Sequence, residues 1–309
     1  MSRIFDALQR SGTERSGVEY PDMVSVATEV FEAQPDPVLT DQTIRESVSP
    51  VPVSLLETPK DKDYKEKAEE EPRGPEEFPS LETSLSPSSR MVFLTDPDSL
   101  AAEKFRFLGV RLRQLRQNRT LKKVLVTSTI PEEGKSLVSA NLAGVLARRK
   151  ERVLLLEGDL RRPTLTQQFG LGRLIGLGEW LQSSRRIVSN IFYFRNLGFW
   201  FLPAGVPLDN PLELMQSGKL LELMTELSNL FDWVIVDSPP LLPLADTTVW
   251  ARVTDGVLLV TREGKTERGP LQRGLEVLKS SELLGVVLNS SMNPDQNSYY
   301  HRYSPPGSK

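Results

Sequence analysis

The chain has no cysteine and a single histidine, His301, among its 309 residues. Disulfides, thiolate zinc sites and iron–sulfur clusters are therefore excluded, and so is a histidine-rich metal centre. No apolar run approaches the roughly 18–20 residues that span a bilayer, and no signal peptide opens the chain. A cytoplasmic protein is expected, held at the inner face of a membrane only through a partner. Surplus positive charge is also lacking: a formal net charge of −3 argues against nucleic-acid binding. Hydrophobic residues make up 39% of the chain, below globular usage, so part of it is expected to lie outside any core.

Residues 1–10, MSRIFDALQR, read as a short amphipathic helix in which Ser2 caps and Ile4, Phe5 and Leu8 share a face. Residues 11–90 are rich in Pro, Ser, Glu and Lys, including the run KDKDYKEKAEEEPRGPEE at 60–77. Such a composition buries too little apolar surface to offset ordering and reads as a disordered linker. The pattern then changes. Ala101, Phe105, Leu108, Leu112 and Leu115 recur at helical spacing. Strands are predicted at 122–127, 152–157, 199–203, 233–237, 256–261 and 284–289, with helices at 135–148, 211–229, 245–252 and 268–280. Apolar strands alternating with helices imply a doubly wound α/β domain with a mainly parallel sheet, over 91–290. The segment 170–198 is expected to hold short helices and an edge strand, and 291–309 to form a flexible tail.

Within that frame, KKVLVTSTIPEEGKSLVSANLA (122–143) is a strand, a loop, Gly-Lys-Ser and a helix in succession. This is the layout of a phosphate-binding loop, as in the P-loop NTPase fold. Backbone N–H groups at a helix N-terminus wrap phosphate oxygens, where the helix dipole favours negative charge. The candidate cradle comprises Thr129, Pro131, Glu132, Glu133, Gly134, Lys135, Ser136 and Leu137. Lys135 would reach the β/γ-phosphates of ATP, and the Ser136 hydroxyl would hold Mg²⁺. Thr129 stands where the pattern G-x-x-x-x-G-K-[ST] has its first glycine.

Two acidic motifs accompany the loop. VLLLEGDLRRP (153–163) ends a buried strand in Glu157 and Asp159, and FDWVIVDSPPLLPLADT (231–247) ends another at Asp237. Carboxylates at the C-terminal ends of strands in an open α/β sheet face the ligand crevice. Mg²⁺ needs only a few hard oxygens beside phosphate and water.

LLEGDLRRP resembles the second acidic motif, and IVDSPP the Walker B motif, of bacterial protein-tyrosine kinases of the polysaccharide-export type. NPLELMQSGKLLELMTELSNLFDWVIVDSPP, LPAG at 202–205 and LGVVLNSS at 284–291 are similar to the same family. The resemblance covers about 95–303. It implies an ATP- and Mg²⁺-dependent autokinase acting on its own C-terminal tyrosines, in trans between subunits. Such enzymes work with a membrane-embedded polysaccharide co-polymerase or chain-length adaptor in capsule or exopolysaccharide synthesis, opposed by a cognate phosphatase. By the same resemblance Lys135 and Ser136 bind phosphates and metal, Asp237 and Asp159 hold the metal, and Glu157 helps activate the tyrosine hydroxyl. The family has aspartate where Glu157 stands. Its Glu-x-x-Arg-x-x-Arg oligomer motif begins here with Glu103 and Arg106 and has Gly109 in third place.

Three of the six tyrosines, Tyr299, Tyr300 and Tyr303, fall in the closing segment NSYYHRYSPPGSK. This polar setting disfavours burial and suits phospho-acceptors. Ten residues lead from Asn289 to Tyr299, an extended reach of roughly 33–36 Å. Two other readings fit part of the pattern. One is a non-catalytic, ATP-dependent switch or scaffold for polysaccharide assembly. The other is a positioning ATPase, a class that carries an extra loop lysine where this chain has Ile130.

Overall fold

In the computed structural model, the described residues are Pro75, 78–85, 90–183, 187–242 and 244–290. The helix expected at 1–10 and the tail at 291–309 lie outside them. Eight strands form one sheet: β1 (Ser80–Leu81), β2 (Lys123–Ser128), β3 (Val153–Glu157), β4 (Phe192–Phe194), β5 (Phe199–Leu202), β6 (Trp233–Asp237), β7 (Gly256–Arg262) and β8 (Leu283–Asn289). Their order across the sheet is β1-β4-β5-β3-β6-β2-β7-β8. From β5 to β8 every neighbouring pair is parallel, and the reversal falls between β4 and β5. The six strands predicted from sequence are all present.

The helices are α1 (Val92–Thr95), α2 (Leu100–Gln117), α3 (Lys135–Ala147), α4 (Leu165–Gln168), α5 (Leu177–Gln182), α6 (Pro211–Met215), α7 (Lys219–Leu230), α8 (Asp246–Val253) and α9 (Arg268–Val277). Successive strand residues point to opposite faces, and both faces are covered. Val124 and Val126 of β2 join Phe105, Leu108 and Leu146 in a core beneath α1, α2 and α3. Leu125 of the same strand joins Leu223, Leu227, Trp250 and Leu271 beneath α7, α8 and α9. Burial on both sides explains why β2, β3 and β6 are near-continuous Val/Leu/Ile runs rather than alternating ones.

Two boundaries differ from the sequence reading. The helix expected over 211–229 is two helices, because Gly218 adopts φ +82° at the N-cap of α7. Residues 78–85 fall within the segment read as linker, yet they pack on the sheet edge. Ser80 and Leu81 pair with Tyr193 and Phe194 of β4, and Phe78 is buried against Phe231 at a centroid distance of 6.2 Å. The aromatic edge supplies apolar surface that residues 78–81 cover, which composition averaged over 11–90 conceals. The segment 170–198 holds α5, a 3-10 turn at Ile187–Asn190 and β4; the strand expected there at the sheet edge is instead second from it, with β1 outside.

That edge is sealed by an aromatic cluster. Phe169, fully buried, meets Phe194 and Phe201 at 5.2 Å each and Phe199 at 6.2 Å. Phe169→Ala is expected to cost about 3–5 kcal/mol of folding stability, read as a lowered denaturation midpoint with an unchanged slope.

Candidate active site

The loop after β2 closes at Gly134, which adopts φ +93° and stands as the N-cap of α3 with no side-chain cap. A helix that begins this way leaves its first N–H groups for the oxygens of a ligand. The loop is held from behind. Glu133 is fully buried, and its carboxylate accepts from Ile130 N at 2.9 Å and from the Thr266 hydroxyl. Burial pushes this carboxyl above its ordinary range, and the hydrogen bonds oppose that rise. Asn289, the last residue of β8, donates its Nδ2 to Glu133 O at 2.9 Å.

The remaining loop candidates separate into contacts of different kinds. Glu132 is exposed at φ +63° and pairs with Lys265 at 2.5 Å, so its carboxylate ties the loop to the β7–α9 connection. Pro131 is exposed, and Leu137 is half-buried with its carbonyl accepting from Asn141 Nδ2 at 3.0 Å. Thr129 is buried, and its carbonyl accepts from Leu242 N at 3.1 Å. Its methyl group faces α9: a β-carbon at Gly274 would lie 2.6 Å from Thr129 Cγ2. The side chain at the position of the missing loop glycine is thus accommodated by a glycine on the helix opposite.

The charged groups converge in front of the loop. Lys135 Nζ lies 3.5 Å from Ser136 Oγ and 3.7 Å from Asp159 Oδ2. Asp159 Oδ1 accepts from the backbone N–H groups of Arg161 and Arg162 at 3.3 and 3.0 Å. Asp237 is almost fully buried and accepts from Ser139 Oγ at 3.1 Å. Desolvation raises its pKa from 3.8 to about 6, against the opposing pull of Lys135 and Ser136, while Asp159 and Glu157 add to the rise. Among the described residues no three Asp, Glu, His or Cys side chains gather into a metal cluster. The donor set of Ser136, Asp159 and Asp237 is nevertheless all hard oxygen, which fits Mg²⁺ retaining waters and phosphate oxygens.

Glu157 is brought to the same sheet edge, in register with Asp237 on β6. Its carboxylate, however, is fully engaged. Oε1 accepts from Leu165 N at 2.6 Å and Thr166 N at 3.2 Å, and Oε2 from Thr166 Oγ1 at 2.6 Å and Ala204 N at 3.1 Å. Each oxygen thus holds two donors, which caps α4 and anchors the 203–205 turn. A carboxylate so filled is poorly placed to take a proton from substrate. Asp159, two residues on, is the carboxylate beside Lys135.

Sequence reasoning missed Thr266, Gly274 and Asn289 as supports of the loop, and Asp246, which holds Arg161 at 2.5 Å. Asn289 had a signal, a polar residue ending the apolar run LGVVLN. Gly274 had none, because its role is a contact across the fold. Tyr299, Tyr300 and Tyr303 lie outside the described residues.

No protein-family model matches the chain. It is 34% identical over 211 residues to the tyrosine-protein kinase YwqD of Bacillus subtilis, covering 68% of this chain and 89% of YwqD. It is 33% identical over 222 residues to the succinoglycan biosynthesis transport protein ExoP of Rhizobium meliloti; the match covers 67% of this chain but spans only 28% of ExoP. The structure is similar to the kinase domain of the Escherichia coli tyrosine kinase ETK, with a TM-score of 0.62 and 28% identity, covering 64% of this chain and 79% of that domain. With the sheet order, the phosphate loop and the acidic strand ends described above, these likenesses show that the chain belongs to the bacterial tyrosine-protein kinases.

Proposed function

We propose that this kinase uses ATP with Mg²⁺ to phosphorylate Tyr299, Tyr300 and Tyr303 of its own tail, in trans between subunits. We further propose that this regulates polysaccharide synthesis and export with a membrane-embedded chain-length adaptor and a cognate phosphatase. The observation that carries the reading is the grouping of Lys135, Ser136, Asp159 and Asp237 around an uncapped helix start, with Asn289 bonded to the same loop. The tyrosine-bearing tail therefore departs from the rim of the phosphate site. Asn289 Oδ1 is buried without a hydrogen-bond partner among the described residues, an acceptor suited to a donor such as the amino group of adenine. The resemblance to ExoP, named for succinoglycan biosynthesis transport, supports the polysaccharide link.

In this reading the α3 N–H groups and Lys135 hold the β- and γ-phosphates and neutralise charge as it shifts toward the leaving ADP. Ser136 and Asp237, with support from Asp159, would hold Mg²⁺, which would add further charge neutralisation. The tyrosine oxygen bonds to the γ-phosphorus, the bond from that phosphorus to the β,γ-bridging oxygen breaks, and ADP leaves. The phenolic proton goes to Asp159 Oδ2, the carboxylate beside Lys135.

Three outcomes test this. Purified protein incubated with ATP and Mg²⁺ is expected to carry phosphate on Tyr299, Tyr300 or Tyr303 by mass spectrometry, and Lys135→Ala to lose nucleotide binding and labelling together. An unlabelled tail, with the adaptor's activating segment present, would overturn the acceptor assignment.

The two acidic residues separate in a second test. Asp159→Asn is expected to cut turnover at least 100-fold with little change in stability. Glu157→Gln sets an amide N–H₂ against donors and is expected to cost about 1–3 kcal/mol of stability while largely sparing turnover of the folded fraction. The reverse pattern would return the proton-accepting role to Glu157.

A third test concerns pH. Asp237 holds its proton more tightly when folded, so between pH ~4 and ~6 the folded state binds the extra proton. Its contribution to stability is present below about pH 4 and lost as pH rises through about 6, on the order of 3 kcal/mol in all. Denaturant titrations in chelator should therefore show Asp237→Asn gaining on the wild type as pH rises from 4.5 to 7.5. Added Mg²⁺ should shrink that gap.

A further inference from the structure

At the other end of α3 from the phosphate loop, a cavity of about 220 Å³ opens between α2 and α3. Four arginines line it: Arg106 and Arg113 from α2, and Arg148 and Arg149 just beyond α3. Phe93 and Val110 supply an apolar wall. Two of the cations are already balanced, Arg106 by Glu103 at 2.5 Å and Arg113 by Glu151 at 2.5 Å. The other two have no ionic partner among the described residues. Arg148 donates, among the described residues, to Phe93 O at 2.7 Å and lies over the Phe93 ring at 5.8 Å. The exposed Arg149 guanidinium makes no hydrogen bond among the described residues. Two unneutralised guanidinium groups beside an aromatic ring, in a lined hollow, are an anion site with an apolar wall.

The chemistry of the lining narrows the ligand. Guanidinium groups match the oxygens of a phosphate dianion, and a phosphorylated tyrosine carries close to two negative charges on an aromatic ring. The cavity is smaller than the roughly 300–1,000 Å³ typical of drug-sized ligand sites, so it suits one aryl phosphate rather than a nucleotide. We infer that this cavity binds phosphotyrosine, supplied by the tail of this chain. The choice of occupant rests on the reading of Tyr299, Tyr300 and Tyr303 as phospho-acceptors.

Reach and charge both favour the tail. Asn289 bonds the loop at the start of α3, and α3 is 13 residues long, roughly 20 Å from end to end. The ten residues from Asn289 to Tyr299 extend to roughly 33–36 Å. A phosphorylated tail can therefore run from the catalytic rim to the cavity of its own subunit. Unphosphorylated, its residues 292–309 include one acidic group, Asp295, and two basic ones, Arg302 and Lys309, so nothing in it seeks arginines. Phosphorylation itself would create the affinity, withdrawing a finished tyrosine from the active site.

The test uses synthetic peptides of NSYYHRYSPPGSK, phosphorylated on Tyr299 or unmodified, titrated against the full chain by fluorescence anisotropy. The phosphopeptide is expected to bind at least tenfold more tightly than the unmodified peptide. Arg149→Glu is expected to abolish that preference, whereas Lys135→Ala, at the far end of α3, is expected to retain it. Equal binding of the two peptides would overturn the proposal, as would a preference that survives Arg149→Glu. Displacement by inorganic phosphate at the same concentration would reduce the cavity to a simple anion site and overturn the tyrosine assignment. Because the peptide arrives already phosphorylated, these outcomes are independent of whether the chain labels its own tail, which mass spectrometry decides separately.

Discussion

Neighbouring strands β3 and β6 end in register on Glu157 and Asp237, so the parallel sheet sets two carboxylates side by side in a nearly dry edge. Like charges in such a place raise one another's pKa unless each is given its own compensation. The fold resolves this asymmetrically. Glu157 receives four hydrogen-bond donors from two segments, one at Leu165 and Thr166 and the other at Ala204, and ties them together. Asp237 has the Ser139 hydroxyl and the opposing pull of Lys135 and Ser136, yet desolvation still raises its pKa to about 6. The group left less fully compensated is Asp237, which stands at the strand end beside Lys135.

The phosphate loop depends on supports that come from far along the chain. Glu133 turns inward to Ile130 and Thr266, Asn289 holds the loop carbonyl, and Thr129 nests against Gly274. Apart from Ile130, within the loop itself, these partners come from the C-terminal third of the domain. The loop geometry is thus coupled to β7, α9 and β8, and through Asn289 to the root of the tail. A substitution in those elements would be felt at the nucleotide site without touching a ligand. The tyrosine kinase reading and the arginine cavity at the opposite end of α3 share this helix as their common axis.

Much of this was legible in the linear chain. The six predicted strands coincide with observed ones because each is a short apolar run bounded by turns, and the central ones are buried on both faces. The Gly-Lys-Ser step and Asp237 were legible because phosphate binding needs those residue types at a helix start and a strand end. The break at Gly218 was harder to read, since leucines continue across it at helical spacing. The strand at Ser80–Leu81 was hidden by the polar composition around it. Its partner, the aromatic strand Phe192–Phe194, lies more than a hundred residues away.

Sequence by itself determined the fold class, the position of the phosphate loop and the candidate acids, because these rest on local periodicity and on residue chemistry at element ends. Only the tertiary structure decided what surrounds each acid. Glu157 and Asp159 are two residues apart on one strand end, yet one faces four donors and the other faces Lys135. The tertiary structure likewise decided that threonine is tolerated at position 129, since the space for it is made by Gly274 on another helix. The strand ends at Glu157, so Asp159 is not bound to the strand's alternation, and the surroundings of each acid are assembled from segments that are distant in sequence.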